Sequence, residues 1–254
     1  MDPYGAIASA YGSLTADYDY DRWLAVIEAN AREAGMGGSR LLDVACGSGS
    51  SFLPLLDRFD VTACDLSEAM LDEARLRVGD DVRLFRQDMR ALPVIGEFDL
   101  VLCLDDALNH LLSPAELQSA FAGIARNLAP TGVAVFDLNT LLMFRTTHST
   151  DTSFIVGGAP GRELVLWRGD GPADLEPGGL TGVRIDVLAP EDGKHYRRQQ
   201  ATIVERHHPL AQVRAALDSV GMRVFRCLGQ STGVQMSPTA DELLHTKALF
   251  VVHR

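Results

Sequence analysis

What the 254 residues lack sets the first limits on their reading. No stretch approaches the ~20 apolar residues that a membrane-crossing helix requires, so no membrane partner is expected. No Lys/Arg run or basic stripe with interleaved aromatics occurs, and the formal net charge of −11 repels a phosphate backbone, which argues against nucleic acid as a partner. Cysteine is scarce. Cys46, Cys64, Cys103 and Cys227 are scattered without the paired spacing of a zinc site and read as buried, reduced thiols. The histidines form no ligand cluster in the sequence, so no metal is expected. Residues 1–12, MDPYGAIASAYG, have neither a basic n-region nor an apolar h-region, and the expected location is the cytoplasm. What is present, 46% hydrophobic and 22% charged residues, suits a globular protein with one α/β core and an insertion.

The most informative stretch is LLDVACGSGS (41–50), read with VTACDLSEAM (61–70). Leu41, Leu42, Val44 and Ala45 form a short apolar run around Asp43, and Gly47 and Gly49 break it, which predicts a buried strand, a tight turn and a helix from about Ser50. The glycines tolerate positive φ and admit a ligand close to the backbone, while free N–H groups of the following helix face the same spot. A second apolar run, Val61 to Cys64, ends in Asp65, where a carboxylate at a strand tip can accept both hydroxyls of a ribose. A dinucleotide site is the rival reading. Its third glycine is replaced by Phe52, so a cofactor without a pyrophosphate is expected.

Together, LLDVACGSGS, DLSEAML and QDMR resemble the first three motifs of class I S-adenosylmethionine-dependent methyltransferases, and the wording is similar to the sugar N-methyltransferases of macrolide antibiotic biosynthesis. The motifs are specific for the cofactor and weak for the substrate. The resemblance implies S-adenosyl-L-methionine as cofactor and a Rossmann-like, seven-stranded α/β sheet with helices on both faces. It implies cofactor contacts from Asp43, Ala45, Cys46, Gly47, Gly49, Asp65, Leu66, Met70, Met89 and Leu104, with Asp88 on the adenine amino group. Tyr11 and Tyr20 correspond to a tyrosine that reaches over the cofactor; with Tyr4 and Tyr18 they also read as packing aromatics of an N-terminal flap.

The α/β grammar runs on through a third strand (82–85) and an apolar fourth strand (98–104) that ends in Asp105-Asp106-Ala107-Leu108-Asn109-His110. Ser113-Pro114-Ala115-Glu116 is a capping box opening a helix, and a strand at 133–136 finishes at Asp137-Leu138-Asn139. From 140 to 206, Gly, Pro and Asp punctuate β-type runs at 164–168, 181–189 and 195–205, which predicts an inserted antiparallel lid between core segments 1–139 and 207–254. A helix closed by Gly221 and strands at 223–228 and 246–252 complete the core.

A sulfonium methyl group needs a nucleophile held in line and freed of its proton. His110 is the candidate base, with Asp105 and Asp106 as alternatives; the two carboxylates can instead hold a cationic amine, and binding a neutral amine would need no base at all. Asn109, Trp167 and Arg184 are the candidate acceptor contacts. The reading is methyl transfer to a small-molecule acceptor, an amine of an amino sugar or another specialised metabolite. O-methylation and a nucleoside-binding protein without turnover are the alternatives, and the lid also suits a homodimer contact.

Overall fold

The computed structural model describes residues 2, 4–15, 18–156, 163–192, 194–231 and 233–254. Two short helices, α1 (Ala8–Leu14) and α2 (Tyr20–Glu33), precede the sheet. Asp19 caps α2 by accepting the Arg22 N–H, and the helix buries Trp23, Leu24, Ile27 and Ala31. Then follow β1 (Arg40–Val44), β2 (Asp60–Asp65), α3 (Glu68–Val78), β3 (Arg83–Arg86), β4 (Phe98–Cys103), α4 (Pro114–Asn127) and β5 (Leu128–Asn139). The predicted capping box of α4 is present in both directions, with Pro114 at the first helical position. A short α5 (Leu141–Thr146) leads into β6 (Asp151–Val156), β7 (Glu163–Gly169), β8 (Leu180–Pro190) and β9 (Tyr196–Arg206). The chain ends with α6 (Leu210–Ser219), β10 (Arg223–Gln230), β11 (Met236–Ser237) and β12 (Lys247–His253).

The main sheet has the order β11-β10-β12-β5-β4-β1-β2-β3. Strands β3, β2, β1, β4 and β5 run parallel, and β12 enters antiparallel between β5 and β10. Alternate residues of the central strands feed two cores, Leu42, Val101 and Phe136 on one face and Leu41, Leu100 and Val135 on the other. This is the expected Rossmann-like α/β fold with an inserted antiparallel sheet. It carries eight strands where seven were expected, because the two-residue β11 pairs on the edge with Gly229 and Gln230. Among the described residues, no helix is long and apolar enough to cross a membrane.

Three local expectations are corrected. No helix starts near Ser50: the segment between Gly49 and β2 forms successive turns with one 3-10 turn at Leu53–Leu55. Pro54 withdraws an N–H there, and the segment is too short to propagate before β2 begins. Strand β5 starts at Leu128, ahead of Pro130, because its register against β4 jumps between Phe98 and Leu100 and leaves the proline outside the ladder. Within 140–206 the structure holds a helix and four strands, β6-β7-β8-β9, where three strands were expected; residues 157–162 and 193 of that segment lie outside the described residues. All four cysteines are buried free thiols.

Candidate active site

The chain leaves β1 toward β2 and β3 and leaves β4 toward β5, so the carboxyl ends of β1 and β4 flank the point where strand order reverses. The turn after β1 sits there, with Ala45, Gly47 and Gly49 at φ 61°, 54° and 91°. A Cβ on Gly47 would meet Met70 Cε at 3.2 Å, and one on Gly49 would meet the Phe52 ring at 2.9 Å. Phe52, wholly buried, supports the turn at the slot where a dinucleotide fingerprint has its third glycine. Asp65 fixes the turn from the next strand: its Oδ2 accepts the Gly47 N–H at 2.8 Å and its Oδ1 accepts the Ser67 N–H at 2.8 Å. Beneath lies Asp43, fully buried, with Oδ2 taking the Ser51 hydroxyl and Oδ1 without a partner among the described residues. Burial pushes the Asp43 carboxyl up to about 8.

Around this turn, Cys46 donates its N–H to the Cys64 carbonyl, Met70 and Leu104 are buried, Met89 is half-buried and Leu66 is exposed. Asp88 is gripped by its neighbour Arg90 at 2.6 Å, which holds its carboxyl below the ordinary range. Arg90 meets both Asp88 oxygens, so an adenine amino group would have to share them with the guanidinium.

The loop after β4 places Asp105 and Asp106 in succession at φ 56° and 51°, a conformation that strains any residue with a Cβ. Tyr20 donates its hydroxyl to Asp105 Oδ2 at 2.6 Å, and burial raises the Asp105 carboxyl to about 6 against the pull of Lys247. Lys247, the first residue of β12, reaches Asp106 Oδ1 at 2.6 Å and Asp137 Oδ2 at 2.7 Å. Burial opposes its charge, but Asp106, Asp137 and Asp105 hold its pKa well above the ordinary value. His110 packs edge-on to Tyr4, whose hydroxyl lies 2.9 Å from Nε2. Burial lowers its pKa, so it is neutral at pH 7.

The second sheet closes over this loop. Ile7, just before α1, and Ala10 within it pack against Val165, Val183, Ile185, Ala201 and Ile203, with Tyr4, Tyr11 and Trp167 at the margin. Tyr11 and Tyr20 therefore both reach the edge where the cofactor was expected; the Tyr11 hydroxyl is pushed up by burial and by Asp105 and Asp106. Glu205 of β9 projects from the same face and is buried. One of its carboxylate oxygens, one of Asp106 and an imidazole nitrogen of His110 lie within 4.8 Å of one another, a grouping the sequence did not suggest.

Two expected acceptor contacts fall elsewhere. Arg184 pairs with Arg168, not with Trp167, across β7 and β8, so it lies on the outer face, where it is exposed and meets Asp170 at 3.2 Å. Trp167 stays on the inner face against His148. Asn109 is fully buried and spends both ends of its amide on the backbone, donating to the Arg206 carbonyl and accepting the Asn139 N–H, each at 2.9 Å. It ties the second sheet to β5.

This geometry has relatives. The protein YqeM of Bacillus subtilis is 28% identical over 246 residues that make up 94% of each chain. A dTDP-3-amino-3,6-dideoxy-alpha-D-glucopyranose N,N-dimethyltransferase of Streptomyces fradiae is 38% identical over 120 residues, 47% of each chain. The crystal structure of an amino pentose methyltransferase of calicheamicin biosynthesis from Micromonospora echinaspora, with SAM bound, superposes with a TM-score of 0.74 at 25% identity, covering 96% of this chain and 94% of that one. The family described as "Methyltransferase domain" matches residues 41–132, which span the glycine turn, Asp65 and the Asp105 to His110 loop. The chain is a methyltransferase. The class implied by the motifs stands, and so does the cofactor, S-adenosyl-L-methionine. The cradle suits that group: an open turn with no Cβ at Gly47, an orphaned buried oxygen on Asp43 and no room for a pyrophosphate glycine at Phe52.

The same cluster holds residues that sequence reasoning passed over: Lys247, Asp137 and Glu205. Asp137 closes β5 in a visible Asp-x-Asn pattern. Lys247 had a signal too, since it is one of only two lysines in the chain. Nothing in the β9 run singled out Glu205.

Proposed function

We propose that this methyltransferase acts on the amine of a small molecule, an amino sugar or a related specialised metabolite. The observation that carries the reading is the charge balance at the strand ends. Asp105, Asp106, Asp137 and Glu205 gather there around one lysine, and the excess negative charge suits a cationic acceptor. The relatives that act on amino sugars support the same class.

In this reading Gly47 and the turn carry the methionine end of the cofactor, Asp65 takes the ribose hydroxyls, and Asp88 and Met89 border the adenine. When bound, S-adenosyl-L-methionine supplies a methyl group already activated by its sulfonium. The protein then has three tasks: to orient the acceptor, to exclude water and to dispose of a proton. Tyr4, Tyr11 and Tyr20 wall the compartment, and the second sheet closes it. Residues 1–139 with 207–254 bind the cofactor, and 140–206 select the acceptor. His110 is assigned to orienting the acceptor, because its Nε2 is engaged by the Tyr4 hydroxyl. A homodimer through the outer face of the second sheet is compatible with the exposed Leu180, Tyr196 and Val204.

The test is release of S-adenosylhomocysteine with paired acceptors, an amino sugar nucleotide and its hydroxyl counterpart. Turnover with the amine is expected. Turnover with the hydroxyl alone would replace this reading by O-methylation, and none with a broad panel would leave a binding protein.

A further inference from the structure

Glu205 is the residue of this compartment with the least to do. It is 3% exposed, on the inner face of β9 with Ala201 and Ile203. Among the described residues its side chain has one hydrogen bond, from Asn139 Nδ2 to Oε2 at a long 3.3 Å. No lysine or arginine pairs with it. Lys247 is committed to Asp106 and Asp137, and the imidazole of His148, whose Nδ1 lies 4.0 Å from Oε2, is kept neutral by burial. The other groups facing it are also occupied, His110 by Tyr4 and Asp106 by Lys247. Among the described residues, His148 Nδ1 has no hydrogen-bond partner.

A buried carboxylate left in this state calls for a cation carrying N–H donors. Resting on the amine reading above, we propose that Glu205 binds the acceptor's aminium group and takes its proton. An N–H bond breaks and an O–H bond forms on a Glu205 oxygen. The nitrogen keeps its electron pair and becomes the nucleophile, and the carboxyl becomes neutral. The transfer turns a buried charge pair into two neutral partners, the direction that a desolvated compartment favours. Burial, with Asp106 nearby, raises the proton affinity of the Glu205 carboxyl, which makes it a stronger base once the aminium is seated beside it. A divalent cation on Asp106, His110 and Glu205 is the competing occupant, and the Lys247 ammonium already on Asp106 works against it.

The experiment compares the parent with Glu205→Gln. The probes are dTDP-3-amino-3,6-dideoxyglucose, dTDP-3-amino-3,4,6-trideoxyglucose, glycine and sarcosine, all read as kcat/KM between pH 6 and pH 10. Calorimetric affinity for S-adenosylhomocysteine checks the fold and should match the parent. At pH 7 the variant should be at least tenfold slower with the accepted amine. The deficit should shrink about tenfold per pH unit toward the amine's own pKa, where the amine arrives without its extra proton. A deficit independent of pH, or parent-like activity at pH 7, overturns the proposal while leaving the amine reading intact. If the parent methylates none of the amines but does methylate a hydroxyl counterpart, both fall together. Stoichiometric Mn2+ binding by the parent that is lost in the variant, with activity abolished by EDTA, would make the cluster a metal site and also overturn it.

Discussion

In the proposed reading, Asp65 serves the fold and the ligand at once. Its two oxygens already hold the Gly47 and Ser67 N–H groups, and each oxygen keeps a further lone pair on the ligand side. Hydrogen bonds to a charged acceptor contribute ~1.5–3 kcal/mol each, so Asp65→Ala should weaken S-adenosylmethionine binding by tenfold or more in calorimetry. Affinity within twofold of the parent would remove Asp65 from the ribose. Gly47 makes the complementary case. At φ 54° and with Met70 Cε 3.2 Å from the missing Cβ, Gly47→Val brings strain and a clash into the cradle itself. The variant should keep its melting transition within a few degrees and lose cofactor binding; a folded variant that binds normally would reduce the glycine to a turn residue. Both positions were legible in the sequence because a strand, a glycine turn and a strand-tip carboxylate are neighbours along the chain. Lys247 and Glu205 were not, since their partners lie far away in sequence and only the sheet order brings them together.

At the scale of elements, strand positions read well, because apolar runs of period two or of continuous burial survive any tertiary context. The helix expected near Ser50 failed where a local signal met a proline and a short connection. Arg184 lies on the outer face for a subtler reason. Composition placed it in the right strand, but the face a residue points to depends on register with its neighbour, and a shift of one residue inverts it. The second sheet nonetheless has a testable role. Asn109 bonds both Asn139 and Arg206, so the two ends of the 140–206 segment are held close, and a short Gly/Ser linker can join them. Removing the segment uncovers Ile7 and Ala10 and takes away the Glu205 face. The shortened protein is expected to fold, to lose methyl transfer and to keep cofactor affinity within about tenfold, a change of ~1.4 kcal/mol, by calorimetry. Transfer at the parent rate would move the acceptor site to the N-terminal tyrosines and the Asp105 to His110 loop.

For the molecule as a whole, acid should act through buried imidazole. His208 donates from Nε2 to the Leu111 carbonyl, its Nδ1 has no partner among the described residues, and burial lowers its pKa from 6.5 to about 4. The unfolded chain therefore binds this proton more readily than the native one. The stability it contributes is present above pH 6.5 and is lost as pH falls toward 4, on the order of 3 kcal/mol. Parent and His208→Leu denaturation curves should accordingly converge between pH 6.5 and pH 4, with the variant less stable at pH 8 for lack of the Leu111 bond. A gap that stays constant across that range would contradict the burial argument.

Lys247 also has a meaning in time. The carboxylates at 43, 65, 105, 106, 137 and 205 are all polymerised before it, and β12, which carries it, must slot between β5 and β10. A ribosome-tethered chain halted at residue 240 should therefore capture no S-adenosylmethionine, whereas one released from the tunnel beyond residue 253 should; capture by the halted chain would show that the acidic edge forms without its lysine. Until that strand arrives, Asp106 and Asp137 repel one another across an open flank of β5. Competence for the cofactor is therefore expected to come late in translation, when β12 completes the edge.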